Sequence, residues 1–389
     1  MKLLEKIFFI KKTTKHTIYS FWGLKLKIKH KFDRKQYELY INHIVSPNTI
    51  LIVEINVCHW ETIPGYCKYL TDLGFNVEIV TRFYAEGIFT SLNLNDKVKI
   101  FEFNKITFDK ILKDFDFTKY ERIIYNSKRV YFKKNDVNNE GMDLSEYYDA
   151  IPKGEKANIY IQHHINKIHD FYEPNQIILA NPSKKQELEK LVVNPHYFGE
   201  FKLKNFKNQD IVHFISIGEL SEKRRNLHLL ISTVITLHNL GLNNFKITLI
   251  GSGKLDKINV ELQKYFEVLG RVDYQTMFDI LNQSDFMLPL LDPEVKAHKR
   301  YMDCGTSGTF QLIYGLNKPC IIHKTFADIY GFSEKNSIIY EYNDKLSEAM
   351  QNAINMTNEE YKNIQDYLLS DVQKIKNYSL SNFQKILRG

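Results

Sequence analysis

The second half of the chain alternates between short apolar runs and longer amphipathic stretches. A continuous apolar run of about four to eight residues is typical of a strand buried on both faces, and apolar positions three and four apart indicate a helix packed on one side. The predicted strands are 211–217, 245–250, 266–269, 286–291, 320–322 and 337–340. The predicted helices are 226–238, 255–265, 274–281, 310–316, 344–353 and 358–386. Strands that alternate with helices in this way favour a parallel sheet.

The first half repeats the same pattern after an N-terminal extension. Its predicted strands are 49–57, 76–81, 98–103, 122–125, 159–162 and 177–179, and its predicted helices are 65–73, which Gly74 ends, and 184–191. The stretch 194–210 has no clear period and reads as a connection between two domains. The predicted organisation is an N-terminal extension at 1–44, an α/β domain at 45–195, a linker at 196–208 and a second α/β domain at 209–389.

Composition agrees with a globular chain of two domains. The 389 residues are 43% hydrophobic and 25% charged, which suits a large core. The four cysteines (Cys58, Cys67, Cys304 and Cys320) form neither a Cys-x-x-Cys pair nor a zinc-binding spacing. We therefore expect reduced thiols in a cytoplasmic protein. No apolar run reaches the ~18 residues that a spanning helix needs, and no secretory signal is recognisable.

The positive charge is concentrated at the N-terminus. The net charge is +7, but residues 1–35 alone contain 11 Lys/Arg against 2 Asp/Glu, so the rest of the chain is slightly acidic. Apolar and basic residues alternate at 24–29, beside Phe21 and Trp22, as in a strand or an interfacial segment. An anionic membrane surface fits this pattern, since each basic residue there contributes about 1 kcal/mol. A solvated basic arm and nucleic-acid binding are the alternatives; against nucleic acid, no recognition motif follows.

Three turns of the second domain follow predicted strands, where open α/β sheets bind ligands. They begin at Gly218, with the basic cluster 223–225 close behind, at Gly251-Ser252-Gly253, and at Gly305. Glycines permit a close backbone approach, basic side chains neutralise phosphate, and the N–H groups at a helix start bind anions. Each turn alone has an ordinary explanation, namely an N-cap, a tight turn or a solvated helix start. Together they favour a ligand that carries phosphate.

The order of motifs in residues 209–350 resembles the donor domain of GT-B fold glycosyltransferases. The similar segments are Ile-Ser-Ile-Gly-Glu-Leu-Ser-Glu-Lys-Arg-Arg-Asn, Leu-Ile-Gly-Ser-Gly, Val-Leu-Gly-Arg-Val-Asp, Leu-Asn-Gln-Ser-Asp-Phe-Met-Leu-Pro-Leu and Gly-Leu-Asn-Lys-Pro-Cys-Ile-Ile. The segment 19–29 is similar to an N-terminal feature of bacterial lipopolysaccharide glycosyltransferases. The resemblance implies an α/β fold of two Rossmann-like domains with parallel sheets that face a central cleft.

The same resemblance implies a nucleotide-sugar donor in the second domain. The residues expected to bind it are Gly218, Lys223, Arg224, Gly251, Gly253, Arg271, Thr306, Ser307, Gly308, Thr309 and Gln311. The chain departs from the pattern at Cys304 and Leu312, where many retaining members carry two glutamates. Neither a retaining nor an inverting course is therefore implied.

Glycosyl transfer also needs a base for the acceptor hydroxyl. His59 and Glu61 follow the first strand of the first domain, where the cleft is expected, and are the candidate catalytic residues. Each could instead serve the loop alone, with His59 as a cap and Glu61 in solvent. His163 and His164 follow another strand and are further candidates, although neighbouring residues on a strand face opposite ways.

The predicted function is metal-independent sugar transfer from a nucleotide sugar to a glycan or lipid-linked acceptor of a bacterial surface glycan, lipopolysaccharide or capsule. No cofactor and no metal site are expected, because no His/Asp/Glu set has ligand spacing. The predicted location is the inner face of the cell membrane, contacted through residues 1–35, without nucleic acid. The alternatives are an epimerase or hydrolase of the same fold, and a non-catalytic binding protein with a basic arm.

Overall fold

The computed structural model describes residues 8–12, 16–21, 24–55, 59–82, 85, 87–89, 97–126, 158–163, 176–179, 192–195, 210–255, 258–303 and 305–388. The predicted helix at 184–191, the linker at 196–208, and the residues Cys58, His164 and Cys304 lie outside the described residues. Cys67 and Cys320 are free, buried thiols, and burial raises the pKa of both.

An antiparallel sheet opens the described chain. Its strands are β1 (Phe8–Lys12), β2 (His16–Phe21) and β3 (Leu24–Lys29), in that order across the sheet. The segment 24–29, in which apolar and basic residues alternate, is the strand β3. All six of its residues are exposed. Helix α1 (Arg34–Ile41) follows, and its first turn is capped by the Asp33 carboxylate, which accepts a hydrogen bond from the Gln36 N–H.

The first α/β domain is built on a parallel sheet, as predicted. Across this sheet the strands are β10, β9, β8, β7, β4, β5 and β6, and every pairing is parallel. Their bounds are β4 (Thr49–Glu54), β5 (Asn76–Thr81), β6 (Val98–Glu102), β7 (Arg122–Tyr125), β8 (Ile159–Gln162), β9 (Gln176–Leu179) and β10 (Val192–Val193). The helices described between them are α2 (Ile63–Asp72) and α3 (Lys105–Asp114).

Local chemistry explains the centre of this sheet. Every residue of β4 is buried, because the strand is covered on both faces. Pro64 lies in the first turn of α2, where its missing N–H costs no hydrogen bond. Gly74 ends the helix with φ of 91°, a conformation that favours glycine. The polypeptide therefore returns directly into β5, beside β4.

The second domain repeats this arrangement. Its strands lie in the order β13, β12, β11 and β14, all parallel, and a parallel bridge between Met287 and Cys320 joins β14 to the pair β15–β16. The strands are β11 (Val212–Ile217), β12 (Phe245–Ile250), β13 (Phe266–Gly270), β14 (Phe286–Met287), β15 (Ile321–His323) and β16 (Ile338–Tyr340). The helices are α4 (Leu227–Asn239), α5 (Val260–Gln263), α6 (Tyr274–Gln283), α7 (Arg300–Asp303), α8 (Gly308–Gly315), α9 (Lys324–Tyr330), α10 (Leu346–Asn355) and α11 (Asn358–Arg388).

The last helix connects the two domains. Near its start the Tyr361 hydroxyl donates to the Asp285 carbonyl of the second domain. Near its end Asn382 donates to the Val192 carbonyl, and the Leu387 carbonyl accepts from Arg122 in the first domain. Helix α11 thus fixes one domain against the other through both ends.

Two predictions for the second domain were too long. The helix expected at 255–265 is only the four residues of α5, because the Asn259 side chain caps a start at Val260. The strand expected at 286–291 stops at Met287. Pro289 has no N–H to donate, and Leu290 takes a left-handed conformation with φ of 53°. The apolar run stays buried, but it leaves the sheet and turns towards the loop before α7.

Candidate functional site

A cleft of about 300 Å³ lies between the two domains. The turn after β11, the start of α6 and the start of α8 form its second-domain wall, and Glu61 and Ile88 come from the first domain. Its lining residues are Glu61, Ile88, Ile217, Gly218, Glu219, Arg224, Arg225, Tyr274, Met277, Phe278, Tyr301, Ser307, Gly308, Thr309, Gln311 and Leu312. The cleft has a polar side, with arginines, hydroxyls and the Glu219 carboxylate, and an apolar side of aromatic and aliphatic side chains.

Arg225 is the buried cation of the polar side, with 5% of its surface exposed. Its guanidinium donates to the carbonyls of Arg224 and Ile217 and, over 2.7 Å, to the Thr309 hydroxyl. Its Nε has no hydrogen-bond partner. Burial lowers the pKa of Arg225 to about 10, so that it remains a cation at neutral pH. The neighbouring Tyr301 phenol raises this pKa, and the adjacent Arg224 cation lowers it further. Such a cation attracts an anion into the cleft.

Arg224 and Lys223 differ in position although they are adjacent. Arg224 lines the cleft, donates to the Tyr301 hydroxyl over 3.2 Å and lies 3.8 Å from the Glu219 carboxylate. Lys223 is exposed and is not among the lining residues. Of the predicted basic pair, the structure brings only Arg224 to the cleft, and it adds Arg225.

The start of α8 supplies backbone donors to the same side. Ser307 caps the helix by accepting from the Thr309 N–H, and Gly308 is its first residue. Ser307, Gly308 and Thr309 all line the cleft, and so does Gln311, whose buried side-chain oxygen has no hydrogen-bond partner. Because the first N–H groups of a helix lack internal partners, this end of α8 carries partial positive charge beside Arg225.

The glycines predicted to bind the donor have structural roles in the turns after β11 and β12. A Cβ at Gly218 would meet the Arg225 guanidinium, so this glycine makes room for the cation. A Cβ at Gly251 would overlap the Gly218 carbonyl oxygen, and one at Gly253 would overlap the Leu220 carbonyl oxygen. Gly251 and Gly253 are not among the lining residues. These two glycines let the turns after β11 and β12 pack closely. Any effect they have on a ligand therefore comes through the shape of the turn after β11.

Glu61 is a charged first-domain residue that lines the cleft, and its side chain is 38% exposed. Its oxygen lies 3.8 Å from Nδ1 of His59. Enclosure in the cleft opposes ionisation, but the neighbouring His59 imidazole and backbone N–H groups outweigh it and lower the pKa of Glu61 below its usual value. Glu61 is therefore a carboxylate at neutral pH. His59 is not a lining residue itself, and its ring stacks on that of His163 at 4.0 Å.

The remaining predicted residues lie elsewhere. Arg271 is exposed, Thr306 is half-buried, and neither lines the cleft. Within the described ranges, no group of three or more His, Cys, Asp or Glu side chains is placed to hold a metal ion.

Sequence reasoning missed Arg225 and the apolar side of the cleft. Arg225 was visible as the second arginine of Lys-Arg-Arg, but no pattern told which of the three side chains turns inward. The apolar wall combines Ile88 from the first domain with Tyr274, Met277 and Phe278 of α6 and Leu312 of α8. These positions read as ordinary core residues, because their common surface exists only when the domains face each other.

Solved structures share the fold over nearly the whole chain. AviGT4, a glycosyltransferase involved in avilamycin A biosynthesis, superposes with a TM-score of 0.54 at 13% identity, over 88% of this chain and 99% of AviGT4. HepE from Anabaena, solved with UDP and glucose, gives a TM-score of 0.50 at 11% identity, over 87% and 98% of the two chains. No protein-family model matches the sequence, and no curated protein matches it either. The chain has the GT-B fold, two Rossmann-like domains with parallel sheets, and this prediction is confirmed.

Proposed function

We propose that the chain is a glycosyltransferase that takes its sugar from a nucleotide-sugar donor. The observation that carries the proposal is the buried Arg225, whose guanidinium donates to two backbone carbonyls and to the Thr309 hydroxyl, beside the start of α8 in the interdomain cleft. A diphosphate would supply the anionic partner that the Arg225 guanidinium does not have among its hydrogen bonds in the protein. HepE, which shares the fold, was solved with UDP-glucose, and this agrees with the proposal.

The chemistry assigns one task to each side of the cleft. Sugar transfer breaks the bond between the anomeric carbon and the diphosphate oxygen, and it forms a bond from that carbon to the acceptor oxygen. The second domain stabilises the charge that develops on the leaving diphosphate, through Arg224, Arg225 and the N–H groups of α8. The first domain accepts the acceptor proton through Glu61 or His59. The apolar wall of Tyr274, Met277 and Phe278 suits the nucleoside.

Nucleotide release measures the proposed activity directly. Wild-type protein is incubated with UDP-glucose, UDP-galactose, UDP-N-acetylglucosamine and GDP-mannose, with water as the acceptor, and free nucleoside diphosphate is quantified. At least one donor should be cleaved, and the same donor should raise the melting temperature because it binds the native state. A protein that is neither stabilised nor active with any nucleotide sugar would contradict the proposal. Release of an epimerised nucleotide sugar would favour the epimerase alternative.

Metal independence is a separate prediction. In the cleft, Arg224, Arg225 and the start of α8 are placed to neutralise a diphosphate, and this is the role that a divalent cation has in other enzymes. Turnover should therefore keep its rate in excess EDTA, and added Mg²⁺ or Mn²⁺ should change it less than twofold. Loss of activity in EDTA, restored by either metal, would show that a cation takes part.

We further propose that the acceptor is a growing bacterial surface glycan reached at the inner face of the membrane. In β3, Leu24 is 76% exposed and Leu26 62%, and both alternate with exposed lysines at the edge of the N-terminal sheet. Exposed apolar side chains next to lysines suit an anionic lipid surface. None of the helices in the described ranges is long and apolar enough to cross a membrane.

Substitutions in β3 test the membrane contact better than deletion of the N-terminal extension. Such a deletion would also remove Asp33, which caps α1 and whose N–H donates to the Thr107 hydroxyl. The triple variant Lys25→Gln, Lys27→Gln, Lys29→Gln should bind phosphatidylserine vesicles roughly a hundredfold less tightly, at about 1 kcal/mol for each lysine. Vesicle cosedimentation measures this, with the triple variant Lys362→Gln, Lys374→Gln, Lys385→Gln on α11 as the charge-matched control. High salt should release the wild type as well. Equal sedimentation of both triple variants, or no wild-type binding at low salt, would contradict the membrane proposal.

A further inference from the structure

The backbone of His59 takes a conformation that few residues adopt. Its φ is 72°, in the left-handed region, although it has a full side chain. A non-glycine residue in this conformation costs on the order of 1–3 kcal/mol and persists only where its surroundings hold it. The strained residue lies two positions before Glu61, the carboxylate that lines the cleft.

Hydrogen bonds from two polar side chains hold this turn. The His59 carbonyl accepts from the Thr62 hydroxyl over 2.9 Å and from Nδ2 of Asn126 over 3.0 Å. The Thr62 N–H reaches the same carbonyl over 3.3 Å. The Thr62 hydroxyl is also 3.0 Å from Oδ1 of Asn126, so the two side chains fix each other. Thr62 is 1% exposed and Asn126 is fully buried, hence neither touches a ligand in the cleft.

The Asn126 side chain is fixed in turn by the end of the central strand. Its Nδ2 donates to the carboxylate of Glu54, the last residue of β4, over 2.6 Å, and Glu54 is fully buried. The Asn126 backbone carbonyl pairs with His163, whose ring stacks on His59. The ends of β4, β7 and β8 therefore converge on one turn. A buried polar network of this kind restricts the groups that it holds.

We propose that Thr62 and Asn126 are positioning residues, which hold the left-handed His59 turn so that Glu61 faces the second domain at the reacting centre with His59 beside it. This inference rests on the proposed function, because the held groups matter only if the acceptor loses a proton there. Its prediction concerns turnover rather than donor binding, since the donor-binding arginines lie on the other domain.

The isosteric substitution Thr62→Val tests the network with little change in shape. It removes the hydroxyl that bonds His59 and Asn126, and Thr62→Ser keeps that hydroxyl as the matched control. With the nucleotide sugar that the wild type cleaves best among the four donors above, Thr62→Val should lower kcat at least tenfold and leave KM within twofold. Rates are taken per binding-competent molecule, counted by titration with the nucleoside diphosphate. Thr62→Ser should retain most of kcat.

A second arm separates positioning from general loss of stability. On the background His59→Asn, Glu61→Gln, Thr62→Val should cause no further loss of kcat, because the groups it positions are already gone. Asparagine is chosen at position 59 because it tolerates the left-handed conformation. The inference is overturned if Thr62→Val leaves kcat unchanged, raises KM in parallel, or lowers kcat equally on both backgrounds. Failure of the proposed function would appear earlier, as a wild type without turnover.

Discussion

Replacing Arg225 by methionine should lower the affinity for a nucleoside diphosphate about a hundredfold and leave the protein folded. Hydrogen bonds to charged groups contribute about 1.5–3 kcal/mol, and about 3 kcal/mol corresponds to a factor near one hundred. Arg225 makes hydrogen bonds within the protein, so the substitution has a structural cost. The substitution also removes a buried cation that lies beside a second cation, Arg224, and this offsets part of that cost.

The matched control is Lys223→Met, which removes the same charge two positions away at an exposed site. Titration calorimetry with UDP, GDP and ADP gives the affinities, and urea unfolding gives the stabilities. We expect Lys223→Met to bind within threefold of the wild type. Equal losses in the two variants would mean that net charge matters rather than the cleft, and an Arg225→Met protein with wild-type affinity would remove Arg225 from the site.

Gly251→Ala should lower the free energy of unfolding by about 2–4 kcal/mol, the upper part of the range for single substitutions. Gly251 has φ of 151°, and a Cβ there would overlap the Gly218 carbonyl oxygen, which is backbone and cannot rotate away. Gly241→Ala is the control, because Gly241 has φ of 75° but open space around its Cα. The control should lose only about 1–2 kcal/mol, from the conformation alone.

Urea denaturation of the two glycine variants separates the cost of the left-handed backbone conformation from the cost of the Cβ overlap. Gly251→Ala should also weaken nucleotide binding, because the displaced turn carries Gly218, which makes room for Arg225. If both variants lose the same stability, the turns after β11 and β12 are not packed as closely as described. If Gly251→Ala is destabilised but binds normally, the turn does not shape the site.

The fold followed from the sequence because both halves bury parallel strands on both faces. The six residues of β4 are all buried, and such a run has one interpretation in a chain of alternating strands and helices. The errors came from single residues that override an apolar pattern. Pro289 and Leu290 end a strand that hydropathy alone continues, and Asn259 starts a helix later than its apolar positions suggest.

The site was less predictable, because its groups come from segments far apart in sequence. The helix start at 307–309 could be found, since small and hydroxyl residues before an apolar helix indicate an anion site. The sequence alone does not show that Arg225, rather than Lys223, points inward. This depends on the hydrogen bond that the Arg225 guanidinium donates to the Thr309 hydroxyl. The glycines of the second turn were assigned to a ligand, whereas the structure shows them in contact with a neighbouring turn. Asn126 could not be identified from the sequence, because its role is to donate to the His59 carbonyl, which lies in the turn after a different strand.

The most direct test of the donor site is a crystal structure with the nucleoside diphosphate, among UDP, GDP and ADP, that raises the melting temperature most. The diphosphate should lie within hydrogen-bond distance of the Gly308 N–H and beside the guanidinium of Arg224 or Arg225, with Glu61 facing it across the cleft. A nucleotide bound away from the start of α8, or bound there with its base in place of its diphosphate, would contradict the account.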